Sequence, residues 1–288
     1  LLTKASIPYR DRDLNTNKEL IKILTWNLWW KFENFKDREK LIFQELRSLI
    51  PDIMCLQEVW VEEDESQAKK IADEFGYFYT YKESFEFDGV KFGNAIISKY
   101  KIVNCSSKFF KEVPDKDEKK LFIHAEIDYK DTILNIICTH LNYKYEHQQV
   151  RQSQVTELMG YISELKNPEF PVILCGDFNA DPVSDEIRTI TGHKQPVSDV
   201  VLRDAWMITN PDDIGFTWSN DNHWAARTLE YNRRIDYIFI GKPGLNGIGQ
   251  PIKSELVGTN CYENIFPSDH FGVMTVSYTH LTLPTTYG

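Results

Sequence analysis

The most constraining stretch of the chain is Val172-Ile173-Leu174-Cys175-Gly176-Asp177-Phe178-Asn179-Ala180-Asp181-Pro182. Its apolar, β-branched start reads as a strand buried on both faces, and it stops abruptly at Gly176, followed by a carboxylate and a carboxamide two positions apart. Residues i and i+2 of an extended chain point the same way, so Asp177 and Asn179 are expected to converge just past the carboxyl end of a core strand. Open α/β sheets bind ligands at that end. The plainer reading is an Asx turn into a helix, with Asp181 as N-cap, Pro182 in the first turn, and Asp185 and Glu186 following.

Other strands end the same way. Leu20 to Trp26 reads as a strand delivering Asn27, and Ile53 to Leu56 as one delivering Gln57-Glu58. Between them, Leu41, Ile42, Leu46, Leu49 and Ile50 form one stripe of a helix from about residue 37 to Pro51. A helix is expected from Ser66 to Phe75. Strands are expected at 77–81, 95–98, 102–110, 121–127 and 133–138, with turn signals at Asp88-Gly89 and Pro114-Asp115. The last strand delivers Thr139-His140. The helix that follows, about 146–166, carries Arg151 and Gln154 one turn ahead of Val155 and Leu158, so both are expected to face the sheet. Later strands are expected at 216–218, 233–240, 252–257 and 271–276. The run Lys116 to Lys120 reads as a solvated turn, Trp29, Trp30, Trp218 and Trp224 as packing groups before substrate platforms, although aromatics near a phosphodiester can stack bases or lipid chains, and His124, His147, His193 and His223 as surface or packing residues.

Nothing in the 288 residues marks a linker that would split the chain. Cys55, Cys138 and Cys175 lie inside apolar runs and read as buried free thiols of a reducing compartment, hence a cytoplasmic location. No apolar run approaches the ~20 residues of a membrane helix. The chain opens at Leu1 rather than Met, which leaves an upstream targeting segment open.

Seven short motifs occur in order: Thr25-Trp26-Asn27, Leu56-Gln57-Glu58, Gly93-Asn94-Ala95, Thr139-His140-Leu141, Gly176-Asp177-Phe178-Asn179, Arg234-Ile235-Asp236-Tyr237 and Ser268-Asp269-His270. Together they resemble the endonuclease/exonuclease/phosphatase superfamily, the deoxyribonuclease I-like fold. Trp29-Trp30, Asp181 to Arg188 and Phe216-Thr217-Trp218 are similar to a bacterial-type hydrolase subgroup without an assigned substrate. The resemblance implies an α/β protein, a four-layer α/β/β/α sandwich of two packed, mostly antiparallel sheets with the site at one edge. It implies a domain over residues 19–276, a loose leader over 1–18 and a non-native-looking, loosely packed tail over 277–288.

Glu58, Asp177, Asp236 and Asp269 offer oxygen ligands without a convergent Cys/His set, which suits Mg²⁺ or Mn²⁺ better than zinc. The expected activity is metal-assisted, in-line attack of water on a phosphodiester. In that scheme Glu58 is the principal metal ligand, with Asn27 beside it, also as a phosphate contact, and Asp269 as a second ligand. Asp177 orients or deprotonates water, and Asn179 holds a phosphoryl oxygen. His270 donates to the transition state with Asp236 fixing its tautomer, which requires a separation within ~3.2 Å. His140 contacts the phosphate or leaving group, and Arg151 lies behind the site or adds a phosphate donor. The substrate could be a nucleic acid, a nucleotide or a phospholipid head group, so nuclease, sphingomyelinase-like and inositol-phosphate-type activities compete, and a catalytically dead binding module is the non-enzyme alternative. No obligate protein partner is implied. With 33 Lys and Arg against 43 Asp and Glu, the net charge is −10. Nonspecific duplex binding needs several phosphates neutralised by Lys and Arg, so small or single-stranded phosphodiesters are expected to be better substrates than long duplex DNA.

Overall fold

The computed structural model describes residues 19–111, 119–165, 170–244 and 247–280. Two sheets stack face to face. The first has strand order β12 (Pro251–Val257), β13 (Gly272–His280), β1 (Glu19–Asn27), β2 (Ile53–Glu62), β5 (Val90–Ser98), β4 (Phe78–Phe87), with the short β3 (Glu65–Ser66) on β2. The second runs β10 (Arg203–Asp204), β11 (Asp236–Ile240), β9 (Ile173–Asp177), β8 (Thr132–His140), β7 (Leu121–Tyr129), β6 (Ile102–Phe109). Among the described residues only β1–β2 and β8–β9 pair in parallel. Helices α1 (Phe35–Leu49) and α2 (Gln67–Phe75) cover the first sheet, and α3 (Gln148–Glu164) and α4 (Asp185–Ile190) the second. Two short helices, α5 (Ala205–Thr209) and α6 (His223–Ala226), complete the described chain. This is the expected four-layer sandwich of mostly antiparallel sheets.

Strand alternation sorts the side chains into layers. Ile21 and Ile23 of β1, Ile53 and Cys55 of β2, Ile136 and Cys138 of β8, Ile173 and Cys175 of β9, and Ile238 and Ile240 of β11 fill the space between the sheets. Their neighbours point outward. Leu24, Trp26, Met54 and Leu56 pack under α1 and α2, while Ile137, Leu174, Tyr237 and Phe239 pack under α3 and α4. Continuing the inward series by one pleat reaches Gln57, His140, Asp177 and, at the start of β11, Asp236, while on β1 the buried Thr25 comes first and Asn27 follows it. The inter-sheet layer, apolar along these strands, thus ends in a polar edge.

Several local expectations change. Strands β4 and β5 run further, because Phe78–Phe87 and Val90–Ser98 form a long antiparallel hairpin whose aromatic and polar residues obscured the pattern. Residues 216–218 give only an isolated bridge from Trp218 to Arg233, and β11 starts at Asp236 rather than 233. Helix α4 begins after Ser184, so Asp181 is not its N-cap; the Asp181 carboxylate accepts from Arg233 Nε at 3.2 Å instead. The expected loose tail starts too early: β13 continues through His280, pairing Ser277 with Ile21 and Tyr278 with Leu20, and Ser277 and Thr279 are buried. Pairing with β1 supplies the backbone partners that hold this segment. Residues 281–288, the leader 1–18 and the Pro114-Asp115 turn lie outside the described residues. All five cysteines are free, with Cys55, Cys138 and Cys175 buried. Among the described residues, no helix is long and apolar enough to cross a membrane.

Gly176 is required by close approach rather than by a turn. Its φ is 154°, and a Cβ there would lie 2.1 Å from the Thr139 carbonyl oxygen on the parallel neighbour β8. Gly176→Ala must therefore push apart the strands carrying His140 and Asp177. The variant is expected to lose roughly 1–3 kcal/mol of stability in chemical denaturation; an unchanged midpoint would show that the β8–β9 contact yields without strain.

Candidate active site

The polar edge is a connected network. Asn27 Nδ2 donates to Glu58 Oε1 at 3.0 Å and to Asp177 Oδ2 at 3.1 Å, and its Oδ1 accepts from Trp29 N at 3.0 Å. Two carboxylates from different sheets are thus bridged by one amide. In this arrangement Asn27 turns its donor toward the carboxylates, while its Oδ1 accepts one bond and keeps a second lone pair.

Glu58 reaches the site because β2 bulges. Leu56 pairs with Ala95 and Val59 with Gly93, leaving Gln57 and Glu58 opposite Asn94. Glu58 takes φ 55°, a left-handed conformation that strains a non-glycine residue. Gln57 fills the inward position, donating to Cys138 Sγ and the Cys55 carbonyl.

Asp177 Oδ1 accepts from Asn179 N at 2.9 Å, an Asx turn. Asn179 does not continue the strand alternation: its φ is 50°, and its Nδ2 donates to the Leu141 carbonyl at 3.2 Å. The two residues are adjacent because of the turn, not because of period-two geometry.

His270 Nδ1 lies 2.9 Å from Asp236 Oδ2, within the expected separation, and its Nε2 is 3.8 Å from Asp177 Oδ2. The Asp236 backbone N–H donates to Thr217 Oγ1. The loop carrying Ser268, Asp269 and His270 is tied down at several points. Trp26 Nε1 donates to the His270 carbonyl at 3.0 Å, Ser268 Oγ to the Asn27 carbonyl at 2.7 Å, and Asn222 Nδ2 to the Ser268 carbonyl at 2.7 Å. The Trp218 ring stands edge-on to His270 at 4.9 Å.

Burial would strip the His270 ring of its proton, but Asp236 and then Asp177 overcome it and hold the imidazole pKa well above its usual value. Burial also pushes Asp177 upward, yet the His270 charge and the Asn27 donor outweigh it, so Asp177 stays ionised below the usual range. Asp236 is raised, chiefly by burial. His140 is lowered to about 3 by burial and then by Lys120, so it is neutral at working pH, and its Nδ1 is buried without a hydrogen-bond partner among the described residues. Glu58 is raised by burial. Asp269 is raised to about 7, first by burial and then by the Glu58 charge, against the pull of His270 and Arg38.

Arg151 does not reach the site. It donates to Glu186 Oε1 at 3.0 Å and to the carbonyls of Asn142, Lys144 and Tyr145, pinning the loop after β8 onto α3 and α4. Of its two expected roles these contacts match the one behind the site, a support for the segment that follows His140. Two side chains were missed. Lys120, placed in a solvated turn by its charged neighbours, is 4% exposed, with Nζ 3.5 Å from His140 Nε2. Arg38, indistinguishable in sequence from an ordinary helix-surface arginine, is 1% exposed and donates to the carbonyls of Leu28, Trp29, Trp30, Phe32 and Pro267. It clamps the β1–α1 loop to the Ser268-Asp269-His270 loop, and burial lowers its pKa to about 10. His124 is a packing residue between Tyr161 and Asn135.

The donor set suits a hard divalent cation near Glu58 and Asp269: a half-buried and a buried carboxylate, each raised in pKa, with the Glu58 charge raising Asp269. Asp177, Asp236 and His270 also have ligand atoms within 4.8 Å of one another. However, the His270–Asp236 hydrogen bond occupies two of those atoms, and a protonated imidazole cannot ligate.

Asp269 gives a pH test. Its folded pKa of about 7 lies above its ordinary 3.8, so the protonated group contributes stability that is fully present below pH ~4 and lost as pH rises through ~7. In EDTA, wild-type protein is expected to lose melting temperature across this window more steeply than Asp269→Asn, and added Mg²⁺ to flatten the wild-type slope. Equal slopes for the two proteins would remove Asp269 from the charge-crowded centre.

The sequence profile described as "Endonuclease/Exonuclease/phosphatase family" matches residues 24–270. Rat (Rattus norvegicus) Nocturnin is 24% identical over 91% of this chain, and the chain spans less than two thirds of that relative, 66% of its length. Among solved structures, truncated TDP2 of Caenorhabditis elegans superposes with a TM-score of 0.71 at 22% identity, covering 90% of this chain and 98% of its own. TDP2 of D. rerio, solved with a single strand DNA product, has a TM-score of 0.71 at 19% identity, covering 89% and 98%.

Proposed function

The chain belongs to the endonuclease/exonuclease/phosphatase family, and from that membership we propose that it hydrolyses phosphodiesters by in-line attack of water with a bound divalent cation, Mg²⁺ or Mn²⁺. The observation that carries the reading is the buried relay Asp236–His270, at 2.9 Å, aimed at an ionised Asp177 that Asn27 links to Glu58.

In this reading Asp177, kept ionised by its depressed pKa, orients the attacking water and is the group placed to receive its proton. His270 keeps its proton, donates through Nε2 to the phosphoryl oxygen on which charge develops, and is held charged and in that orientation by Asp236. Asn179 has a second amide hydrogen for another phosphoryl oxygen, its first being spent on Leu141. His140, neutral, offers a hydrogen bond beside Lys120 on the leaving-group side. Glu58 and Asp269 hold the cation, which supplies positive charge to the phosphoryl group. The free cysteines favour a reducing compartment, the cytoplasm.

The substrate is small or single-stranded. The basic pairs are largely spent within the fold: Lys69 on Asp73, Lys70 on Glu65, Arg233 on Asp181 and Glu230, and Arg234 on Asp204. No stripe of arginines is left among these to follow a duplex backbone, whose nonspecific binding needs several phosphate contacts. The single strand DNA product in the D. rerio TDP2 structure is in keeping with this choice.

The test is hydrolysis, at physiological salt with Mg²⁺, of plasmid DNA, a short single-stranded oligonucleotide and a small phosphodiester. Turnover of the latter two is expected to exceed that of plasmid, to vanish in EDTA, and to fall a hundredfold or more in Asp177→Asn. Efficient plasmid degradation with a steep salt slope would overturn the substrate class, and turnover indifferent to both EDTA and Asp177→Asn would overturn the chemistry.

A further inference from the structure

Beside the network lies a cavity of about 550 Å³ whose lining includes Glu58 and His140. The rest of its wall is unusually aromatic for a polar active-site edge. Trp30 comes from the β1–α1 loop, Phe92 from β5 and Tyr143 from the loop after β8. Phe32, Phe85 and Phe87 extend the wall outward, and Lys119 and Lys120 lie among the lining residues. Phe32, Phe87 and Tyr143 are each 46% or more exposed. Large rings left in water around one concavity mark a binding site.

The placement follows from the strands. On β5, Ile96 lies in the inter-sheet core and Asn94 donates to the Leu121 carbonyl of the opposite sheet; Phe92 is the next inward position, where the core gives way to the cavity. Its ring lies 6.1 Å from His140 and 6.4 Å from Trp30, at 60° to the latter. Trp30 is fixed: its Nε1 donates to the Lys91 carbonyl at 3.0 Å, and Arg38 holds its carbonyl at 3.0 Å while its φ is 38°. Lys120 Nζ stands 5.7 Å from the Phe92 centroid and 5.8 Å from that of Tyr143.

We propose that this cavity receives one unpaired nucleobase adjoining the scissile phosphate, stacked against Phe92, Trp30 and Tyr143, and that it makes the enzyme selective for single-stranded nucleic acid. The inference rests on the phosphodiesterase reading of the same site. A base fits better than a lipid chain. The rings converge into a recess that is continuous with the phosphate site rather than projecting from a convex tip, and the lysines complement a neighbouring phosphate. A base paired in a duplex presents no free face to such a recess, so entry demands an unpaired nucleotide. Trp30, held by Arg38 and the Lys91 carbonyl before binding, lowers the ordering cost on its side of the recess.

The experiment uses a labelled single-stranded oligonucleotide in which one abasic site is stepped along the chain. Binding is measured to full-length Asp177→Asn protein in Mg²⁺, and cleavage by wild type. One position is expected at which loss of the base weakens binding about tenfold or more. That position effect is expected to vanish in Phe92→Leu and in Tyr143→Ser, the second an exposed loop change that keeps the test alive if the first fails to fold. Abasic sites neutral at every position, no binding of any oligonucleotide, or preferential Tyr143-dependent binding to phosphatidylcholine vesicles would each overturn the pocket. Position-specific binding without hydrolysis by wild type would instead sustain the pocket and defeat the phosphodiesterase reading.

Discussion

The structure depends on the inward register of the strands between its two sheets. Side chains at alternate positions of β1, β2, β8, β9 and β11 pack into one apolar layer, and the inward positions that follow are Gln57, His140, Asp177 and Asp236, with Thr25 and then Asn27 on β1. A slip of one residue in any of these strands would send a polar group into a helix-facing core and an apolar one into the site. The packing that stabilises the sandwich therefore also fixes the reactive groups. Gly176 makes the parallel β8–β9 contact possible, and the β2 bulge places both Gln57 and Glu58 on the site side.

Placing that many charges out of water has a cost, and the network distributes it. Asp177 is bridged to Glu58 by the Asn27 amide, Asp236 is paired with His270, and Arg38 stands opposite Asp269 while five backbone carbonyls accept from it. The displacement of Asp269 from 3.8 to about 7 corresponds to a penalty on the order of 4 kcal/mol for ionising it. That excess of negative charge on the Glu58–Asp269 side is what a divalent cation relieves. His270, on the other side, is kept cationic by Asp236 and Asp177. The site thus has an acid-rich half suited to a cation and a half supplied with a proton donor.

Much of this was legible in the sequence where a residue's role is local. Apolar strand runs ending in Asn27, His140 and Asp177, and the short motifs around Asp236 and His270, suffice to place these residues at one edge of a two-sheet sandwich. What escaped depends on partners remote in the chain. Arg38 acts through the Pro267 carbonyl, Lys120 through His140 and Phe92, and Arg151 through Glu186, and none of these pairs leaves a sequence pattern. Backbone irregularity hid the rest. Glu58 turns inward through a bulge at φ 55°, and Asn179 leaves the strand at φ 50°. Pairing with β1 likewise carried β13 past the boundary its Thr-rich composition suggested.

The central claim is that the strand-borne Asp236 and the loop-borne His270 act as one unit in phosphodiester hydrolysis. A double-mutant cycle of Asp236→Asn and His270→Gln, read as kcat/KM on a single-stranded oligonucleotide, tests it most directly. The account predicts strong non-additivity, with the double variant about as impaired as His270→Gln alone and all three proteins folded. Additive losses, with the double variant impaired by the product of the single effects, would mean that the two residues contribute independently and would contradict it.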